Sequence, residues 1–506
     1  MQQHGIGAWV AKRRLKSPDQ IAIIHDRSPL TYGQFADATD RISAVLRERG
    51  VGKGDSVAYL GENSPELLQV MFAAAQVGAV FVPINTRLAA PEIAYVLADC
   101  GARVLIHDPD FAVPVAAAVS AARTPCVIVN GAGTADRPGL AHLTPAVAGF
   151  TDHADTTLDD PAAIIYTSGT TGRAKGAVLT HGNLTWVALN CVVDYDVVST
   201  DVALMISPLF HVASLGMGAL PVILKGATMV IEKGFEPGRA LAQIERYGVT
   251  MLSGVPTTYQ LMADHPAWAS TDLSTLTKLT CGGSAVPARI LNAYEERGLS
   301  FSQGYGMTEA APGATALPPA MTRVKQGSVG LPHFFTDVRI TDAAGAVVPT
   351  GVVGEIEVAG PNVFPGYHGL AEATAEAFTA DGWFRSGDLG HLDADGYLYV
   401  TGRLKDMIIS GGENIYPLEL EQLLTEVDGV TSAAVIGVPD ERWGEVPWAI
   451  VTVREGASVD TATIRARLDG RIARYKLPKN VVIVDELPRT ASGKVRKADL
   501  RARFGA

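Results

Sequence analysis

Charge is scarce in this 506-residue chain: only 19% of its residues are Asp, Glu, Lys or Arg, and the 42 basic ones are outnumbered by 53 acidic ones. The resulting net charge of −11 excludes a duplex nucleic-acid binder, because neutralising phosphates needs a basic face. Cysteine is equally sparse. Cys100, Cys126, Cys191 and Cys281 stand far apart, with no C-x-x-C and no Cys/His cluster, which argues against a zinc site and suits a reducing compartment. No apolar run is both long and unbroken. Val202 to Leu224 carries no charge, but Pro208, His211 and Pro221 interrupt it, so it reads as buried core rather than a membrane span. At the amino terminus Gly5 to Val10 is too short for a signal sequence.

Several catalytic signatures are missing as well. No G-x-G-x-x-G follows a predicted strand, and neither G-x-S-x-G nor H-E-x-x-H occurs. A dinucleotide-binding Rossmann unit, an α/β-hydrolase and a zinc protease are thereby set aside.

What is present is apolar: 47% of residues are hydrophobic and 52 are glycine. Disorder is excluded, and the length calls for two or three cores. A helix is expected to open at Thr31 with a capping box to Gln34, burying Phe35, Ile42, Val45 and Leu46 before Gly50 closes it. Short apolar runs at 56–60, 79–84, 104–107, 126–130, 228–231, 250–253 and 278–281 alternate with helical stretches such as 65–77 and 91–98. That alternation predicts parallel βα units covered on both faces, in two sheets or one large one. After Trp383 the texture turns to hairpins, with a tight turn at Asp393 to Gly396. Beyond Arg403, strands near 433–438, 449–453 and 481–484 surround helices near 417–426 and 463–474, as in a separate α+β domain.

The strongest local feature follows the apolar strand 162–165. Tyr166-Thr167-Ser168-Gly169-Thr170-Thr171-Gly172-Arg173-Ala174-Lys175-Gly176 gathers hydroxyl and backbone donors with one lysine, a loop suited to polyphosphate. Its Gly169-x-x-Gly172-x-x-Lys175 spacing is not that of a Walker A loop. Phosphate binding without an obvious protein nucleophile points to the phosphates themselves as leaving group.

Seven segments in order then carry a family resemblance: the 166–176 loop, Pro208-Leu209-Phe210-His211, Gly304-Tyr305-Gly306-Met307-Thr308-Glu309, Trp383 to Asp388, Gly402 to Asp406, Gly411-Gly412-Glu413-Asn414 and Pro488 to Lys494. Together they make the chain resemble an acyl-CoA synthetase of the adenylate-forming superfamily over nearly its whole length. The resemblance implies an α/β fold with a large multi-sheet amino-terminal domain, residues 1–404, and a small mobile α+β domain, 405–506. It implies ATP, Mg²⁺ and coenzyme A, an acyl-AMP intermediate, and a cytoplasmic enzyme. The expected partners are those molecules and a small carboxylic acid, without nucleic acid or a transmembrane segment; peripheral membrane contact and a homodimer stay open.

Carried over residue by residue, Lys494, Glu309, Thr167 and His211 are the expected catalytic residues. Thr167, Ser168, Gly169, Thr170, Thr171, Gly172 and Lys175 would hold the phosphates, and Glu309 with Thr167 the metal, since Mg²⁺ takes one or two carboxylates and keeps waters. Gly283, Ser284, Gly304, Tyr305, Gly306, Met307 and Thr308 fall to the nucleotide, with adenine stacked on Tyr305. Asp388 and Arg403 would bind the ribose. Lys494 would offset the charge of two approaching anions. Lys405 matches the family hinge, about which Gly411 and Gly412 would swing to line a pantetheine tunnel, with Trp443, Tyr475 and Lys479 at the CoA nucleotide.

His211 would flank the acyl carboxylate. The small or apolar residues that follow it, and those at 253–256, 281–284 and 311–314, predict a neutral apolar tail. A medium or long fatty acid is the first expectation and an aryl acid such as benzoate or a cinnamate the second. A ligase loading a free-standing carrier protein is the rival enzyme, and a silent nucleotide-binding protein the rival of another class. Lys175, Glu309, Asp388, Arg403 and Lys494 together argue against the latter.

Overall fold

The computed structural model describes residues 5–505 except 123, 125, 135, 136, 144–149, 168–172, 284, 285, 411, 412, 441, 455, 458, 469, 470, 491 and 492. The chain forms two compact units, one made of residues 1–337 and 358–384 and the other of 338–357 and 385–506.

The first unit holds two sheets. One has seven strands, in the order Gly366–Tyr367, Lys175–Thr180, Pro161–Thr167, Val80–Pro83, Ser56–Leu60, Ala102–His107 and Cys126–Val129. The other has nine, with Val202–Met205, Thr228–Ile231, Met251–Gly254, Lys278–Cys281 and Phe301–Gly306 parallel at its centre. Antiparallel strands Gly313–Leu317 and Leu331–Pro332 extend one edge. The central strands are apolar on both faces, as sheets covered on both sides must be. One continuous cluster joins Ile23, Ala203 and Met229 of the nine-stranded sheet to Val57, Phe81 and Ile165 of the seven-stranded one, through Phe35, Phe72 and Leu184 of helices. The outer faces bury against Ile93, Val96 and Val115 on one sheet and Leu241, Ile244 and Tyr294 on the other.

Local sequence accounts for the helices that fill this layer. Thr31 and Gln34 form the reciprocal capping box of helix Tyr32–Glu48. Helix Pro65–Val77 is capped by Ser64 and ended by Gly78 at φ 76°, a left-handed cap that glycine adopts without strain. Its residues Leu68, Val70 and Phe72 are fully buried, and truncating Phe72 to alanine would cost about 3–5 kcal/mol. The uncharged stretch 202–224 divides into the strand Val202–Met205, a π-helix Ala213–Ala219 and the helix Leu220–Lys225. Among the described residues no helix is long and apolar enough to cross a membrane.

The second unit contains a four-stranded sheet with the hairpin Phe384–Leu392 and Leu398–Arg403. It also contains a five-stranded sheet built on the long hairpin Val430–Asp440 and Gly444–Val453, flanked by helices Pro417–Thr425 and Thr461–Leu468. The helix Thr461–Leu468 begins and ends earlier than the expected 463–474. Asp460 accepts from Thr463 N–H and caps it ahead of the apolar signal, while Arg474 lies in a short 3-10 turn.

Candidate active site

The expected phosphate loop is a hairpin. Strand Pro161–Thr167 pairs antiparallel with Lys175–Thr180, Thr167 opposite Lys175, and the Thr167 hydroxyl donates to the Lys175 carbonyl at 3.4 Å. Ser168, Gly169, Thr170, Thr171 and Gly172, between them, lie outside the described residues. Gly176 must be glycine, since a Cβ there would lie 2.6 Å from the Ile164 side chain. Lys175 is thus fixed by a strand, and its Nζ stands 5.0 Å from the ring centre of Tyr367.

Tyr367 also donates its hydroxyl to Oε1 of Glu309 at 2.8 Å, so one phenol joins the lysine to the carboxylate. Burial, and then the Glu309 charge, push that phenol well above its usual pKa, and it keeps its proton to donate. Glu309 sits in the 3-10 turn Thr308–Ala310, whose place is set by Asn362. The buried Asn362 amide donates to the carbonyls of Ala310 and Gly313, at 2.8 and 2.7 Å, and Phe364 N–H donates to Glu309 O. Neither Tyr367 nor Asn362 was anticipated. A tyrosine after glycine and an asparagine after proline are ordinary turn residues in sequence; strand pairing brings Tyr367 here, and buried hydrogen bonds hold Asn362.

Gly304, Tyr305 and Gly306 end the strand Phe301–Gly306, which turns back on Gly313–Leu317, and Met307 follows in extended backbone before Thr308. The space left by Gly306 is taken by the chain itself, because a Cβ there would lie 1.6 Å from the Pro312 carbonyl oxygen. Tyr305 is half-buried. Gly283 has φ 83°; Ser284, beside it, lies outside the described residues. His211 packs against Phe210, ring centres 4.6 Å apart, and its carbonyl accepts from Ser214 and Leu215 N–H at the start of the π-helix. Asn63 holds the approach to His211: its side chain accepts from Leu209 N–H and donates to the carbonyls of Ser207 and Glu232.

In the second unit Asp388 and Arg403 face each other across a hairpin, and Arg403 Nε lies 3.0 Å from Asp388 Oδ1. Lys405 is in the 3-10 turn Leu404–Asp406, where burial, and then the Arg403 charge, lower its pKa. Lys494 is exposed on a tight turn, its backbone joined to Thr490 in both directions and the turn buttressed by Arg489 on Gly493 O. Gly411 and Gly412 lie outside the described residues, between the paired strands Ile408–Ser410 and Glu413–Ile415. Trp443 and Tyr475 are exposed rather than core aromatics. Arg442 lies over the Trp443 ring at 4.7 Å, and Lys479 pairs with the Asp440 carboxylate.

Mg²⁺ fits this donor set in one way. Among the described residues no three His, Cys, Asp or Glu side chains form a metal cage, but a single oriented carboxylate such as Glu309 is what a hard, water-retaining cation uses.

Residues 10–368 match the AMP-binding enzyme family and residues 419–494 the AMP-binding enzyme C-terminal domain. The chain is 49% identical to a feruloyl-CoA synthase from an Amycolatopsis species, over 100% of both chains. It is 41% identical to indoleacetate–CoA ligase from Aromatoleum aromaticum, over 98% of this chain and 97% of that one. The ATP-bound crystal structure of MatB from Rhodopseudomonas palustris superposes with a TM-score of 0.91 at 34% identity, covering 99% of each chain. With both family domains in sequence and full-length kinship to CoA ligases, this chain belongs to the AMP-binding enzymes, as an acyl-CoA synthetase of the adenylate-forming superfamily.

Proposed function

We propose that the chain activates an aryl acid of the arylpropenoate kind. The acid's carboxylate oxygen attacks the α-phosphorus of ATP, releasing pyrophosphate; the CoA sulfur then attacks the acyl carbon of the acyl-AMP, releasing AMP. What carries the aryl reading is the 49% identity, end to end, with a feruloyl-CoA synthase, supported by the 41% identity with an indoleacetate ligase. Two of the small residues that follow His211 lend no support to a long aliphatic tail. Gly216 and Gly218 are small because the chain presses on them: an added Cβ would lie 2.6 Å from Ala311 O and 2.8 Å from the Met205 methyl, respectively. Their size therefore does not measure room for a tail.

In this reading Lys175, Thr167 and the loop 168–172 hold the β- and γ-phosphates. Glu309, oriented by Tyr367, anchors Mg²⁺, whose chemistry is to screen the phosphate charge. Tyr305 stacks on adenine, with Gly283, Ser284, Gly304, Gly306, Met307 and Thr308 lining the nucleotide. Asp388 and Arg403 take the ribose. His211 flanks the acyl carboxylate, and Lys494 offsets the negative charge that builds as two anions meet. Residues 405–506 turn about Lys405 between the steps, and Gly411, Gly412, Trp443, Tyr475 and Lys479 then meet CoA.

Pyrophosphate release and thiol consumption, measured separately across cinnamates, benzoates and fatty acids of eight to sixteen carbons, test the proposal. An arylpropenoate should exceed every fatty acid in kcat/KM by at least about tenfold, or about 1.4 kcal/mol. A fatty acid at the top of the series overturns it.

A further inference from the structure

Asp388 has a strand on each side of its own. In the four-stranded sheet of the second unit, Phe384–Leu392 runs between Leu398–Arg403 and Gly354–Ala359. The first neighbour supplies Arg403. The second supplies Glu355, half-buried, whose Oε1 accepts from Gly387 N–H at 3.2 Å. Next along the chain, Asp388 N–H donates to the Ser386 hydroxyl at 3.0 Å, and that hydroxyl donates to Ile356 O at 2.6 Å. Two successive N–H groups, one of them Asp388's own, are thus tied to residues 355 and 356 of the adjoining strand.

Gly387 gives the reason for these ties. Its φ is 68°, in the left-handed region, and an added Cβ would meet nothing within 4 Å. Glycine is there for its backbone and not for space. Because glycine enters left- and right-handed backbone about equally readily, its neighbours must choose between them, and a bond from its N–H to a carboxylate held on the next strand does so. Rotation at Gly387 sets the direction of the residue that follows, Asp388. Glu357, on the same face of its strand as Glu355, is committed elsewhere: it is buried and accepts from Arg339 Nε at 2.6 Å and the Thr341 hydroxyl at 3.0 Å. Of the two glutamates, Glu357 joins its strand to Asp337–Thr341, and Glu355 reaches the turn before Asp388.

We infer that Glu355 is a positioning residue for the ribose, holding Gly387 in its left-handed conformation so that the Asp388 carboxylate faces the two sugar hydroxyls. The inference rests on the reading of Asp388 as the ribose acceptor and adds the group that orients it. Hydrogen bonds to a carboxylate are strong but weaken steeply when misaligned. A turn that lets Asp388 swing therefore costs the sugar's share of the affinity and leaves the share of the phosphates and base intact.

The test is the ratio of the dissociation constant of 2′,3′-dideoxy-ATP to that of ATP, measured by equilibrium titration with Mg²⁺ on the full-length chain. The wild type should favour ATP by at least about tenfold, the size of one hydrogen bond to a charged group. Asp388→Ala should bring the ratio to about one. Glu355→Ala should lower it by about threefold or more, and Glu355→Gln, which keeps an acceptor at the same reach, should restore most of it. If Glu355→Ala does not give a native melting curve, Glu355→Asp, which keeps the charge but is one methylene short of Gly387 N–H, gives the deciding ratio. A variant that weakens both nucleotides by the same factor, leaving the ratio unmoved, makes Glu355 part of the scaffold only and leaves Asp388 at the ribose. A wild-type ratio near one, or a ratio unmoved by Asp388→Ala, overturns the ribose reading and the role of Glu355 with it.

Discussion

Tyr367 is the residue whose importance exceeds its visibility. It touches Lys175 with its ring and Glu309 with its hydroxyl, so it ties the lysine proposed to hold phosphate to the proposed metal carboxylate. Tyr367→Phe keeps the ring and removes the donor. Hydrogen bonds to charged groups contribute about 1.5–3 kcal/mol, so the variant should need roughly tenfold or more Mg²⁺ for half-maximal binding of ATP, measured by equilibrium titration, while KM for the acid stays close to that of the wild type. Glu309→Gln should act in the same direction and further. If Tyr367→Phe leaves the metal titration untouched, its hydroxyl is only filling space.

At the scale of elements, helix His181–Asp194 is tied to the chain's start through its first residue. His181 is fully buried, and its Nδ1 accepts from Ile6 N–H at 3.3 Å. Burial lowers its pKa to about 4, with the Asp160 charge opposing and the Lys53 charge adding to the shift. An unfolded histidine titrates near 6.5, so between these values the unfolded chain binds a proton that the native chain refuses. The stabilisation is complete above about pH 6.5 and is lost as pH falls towards 4, to a total on the order of 3 kcal/mol. His181→Gln should therefore melt lower at pH 7.5 yet show a flatter fall in Tm between pH 7 and 5. Parallel curves for variant and wild type would show that another group governs the acid side.

On the scale of the whole molecule, Lys175 and Glu309 belong to one compact unit and Asp388, Arg403 and Lys494 to the other. If 405–506 turns about Lys405, two variants should divide the reaction in opposite senses. Lys494→Ala should slow pyrophosphate release by about 10²–10³-fold, as removal of one transition-state donor does, while supplied acyl-AMP still yields thioester. Lys405→Pro, which fixes φ near −65°, should spare first-turnover pyrophosphate release and suppress CoA consumption. Single-turnover assays of each step, with melting curves, decide the matter: equal loss in both steps with a native melt removes the hinge.

The sequence by itself determined the alternating strands and helices of the first unit, the capping box at Thr31, the hairpin turn at Asp393 to Gly396 and the family, because each is written in local periodicity, turn chemistry or an ordered motif. It also marked Lys175, Glu309, Asp388 and Arg403, whose types stand out within their motifs. Only the tertiary structure decided what meets them. Tyr367 reaches Glu309, and the buried Asn362 amide the turn that carries it, from more than 50 residues away, and His333 reaches Asp194 across 139 residues. The small size of Gly216 and Gly306 does not tell in sequence what lies beside them, and packing sets the chain's own atoms there. Local sequence records which backbone a residue prefers; which atoms fill the space beside it is fixed only when distant segments are packed together.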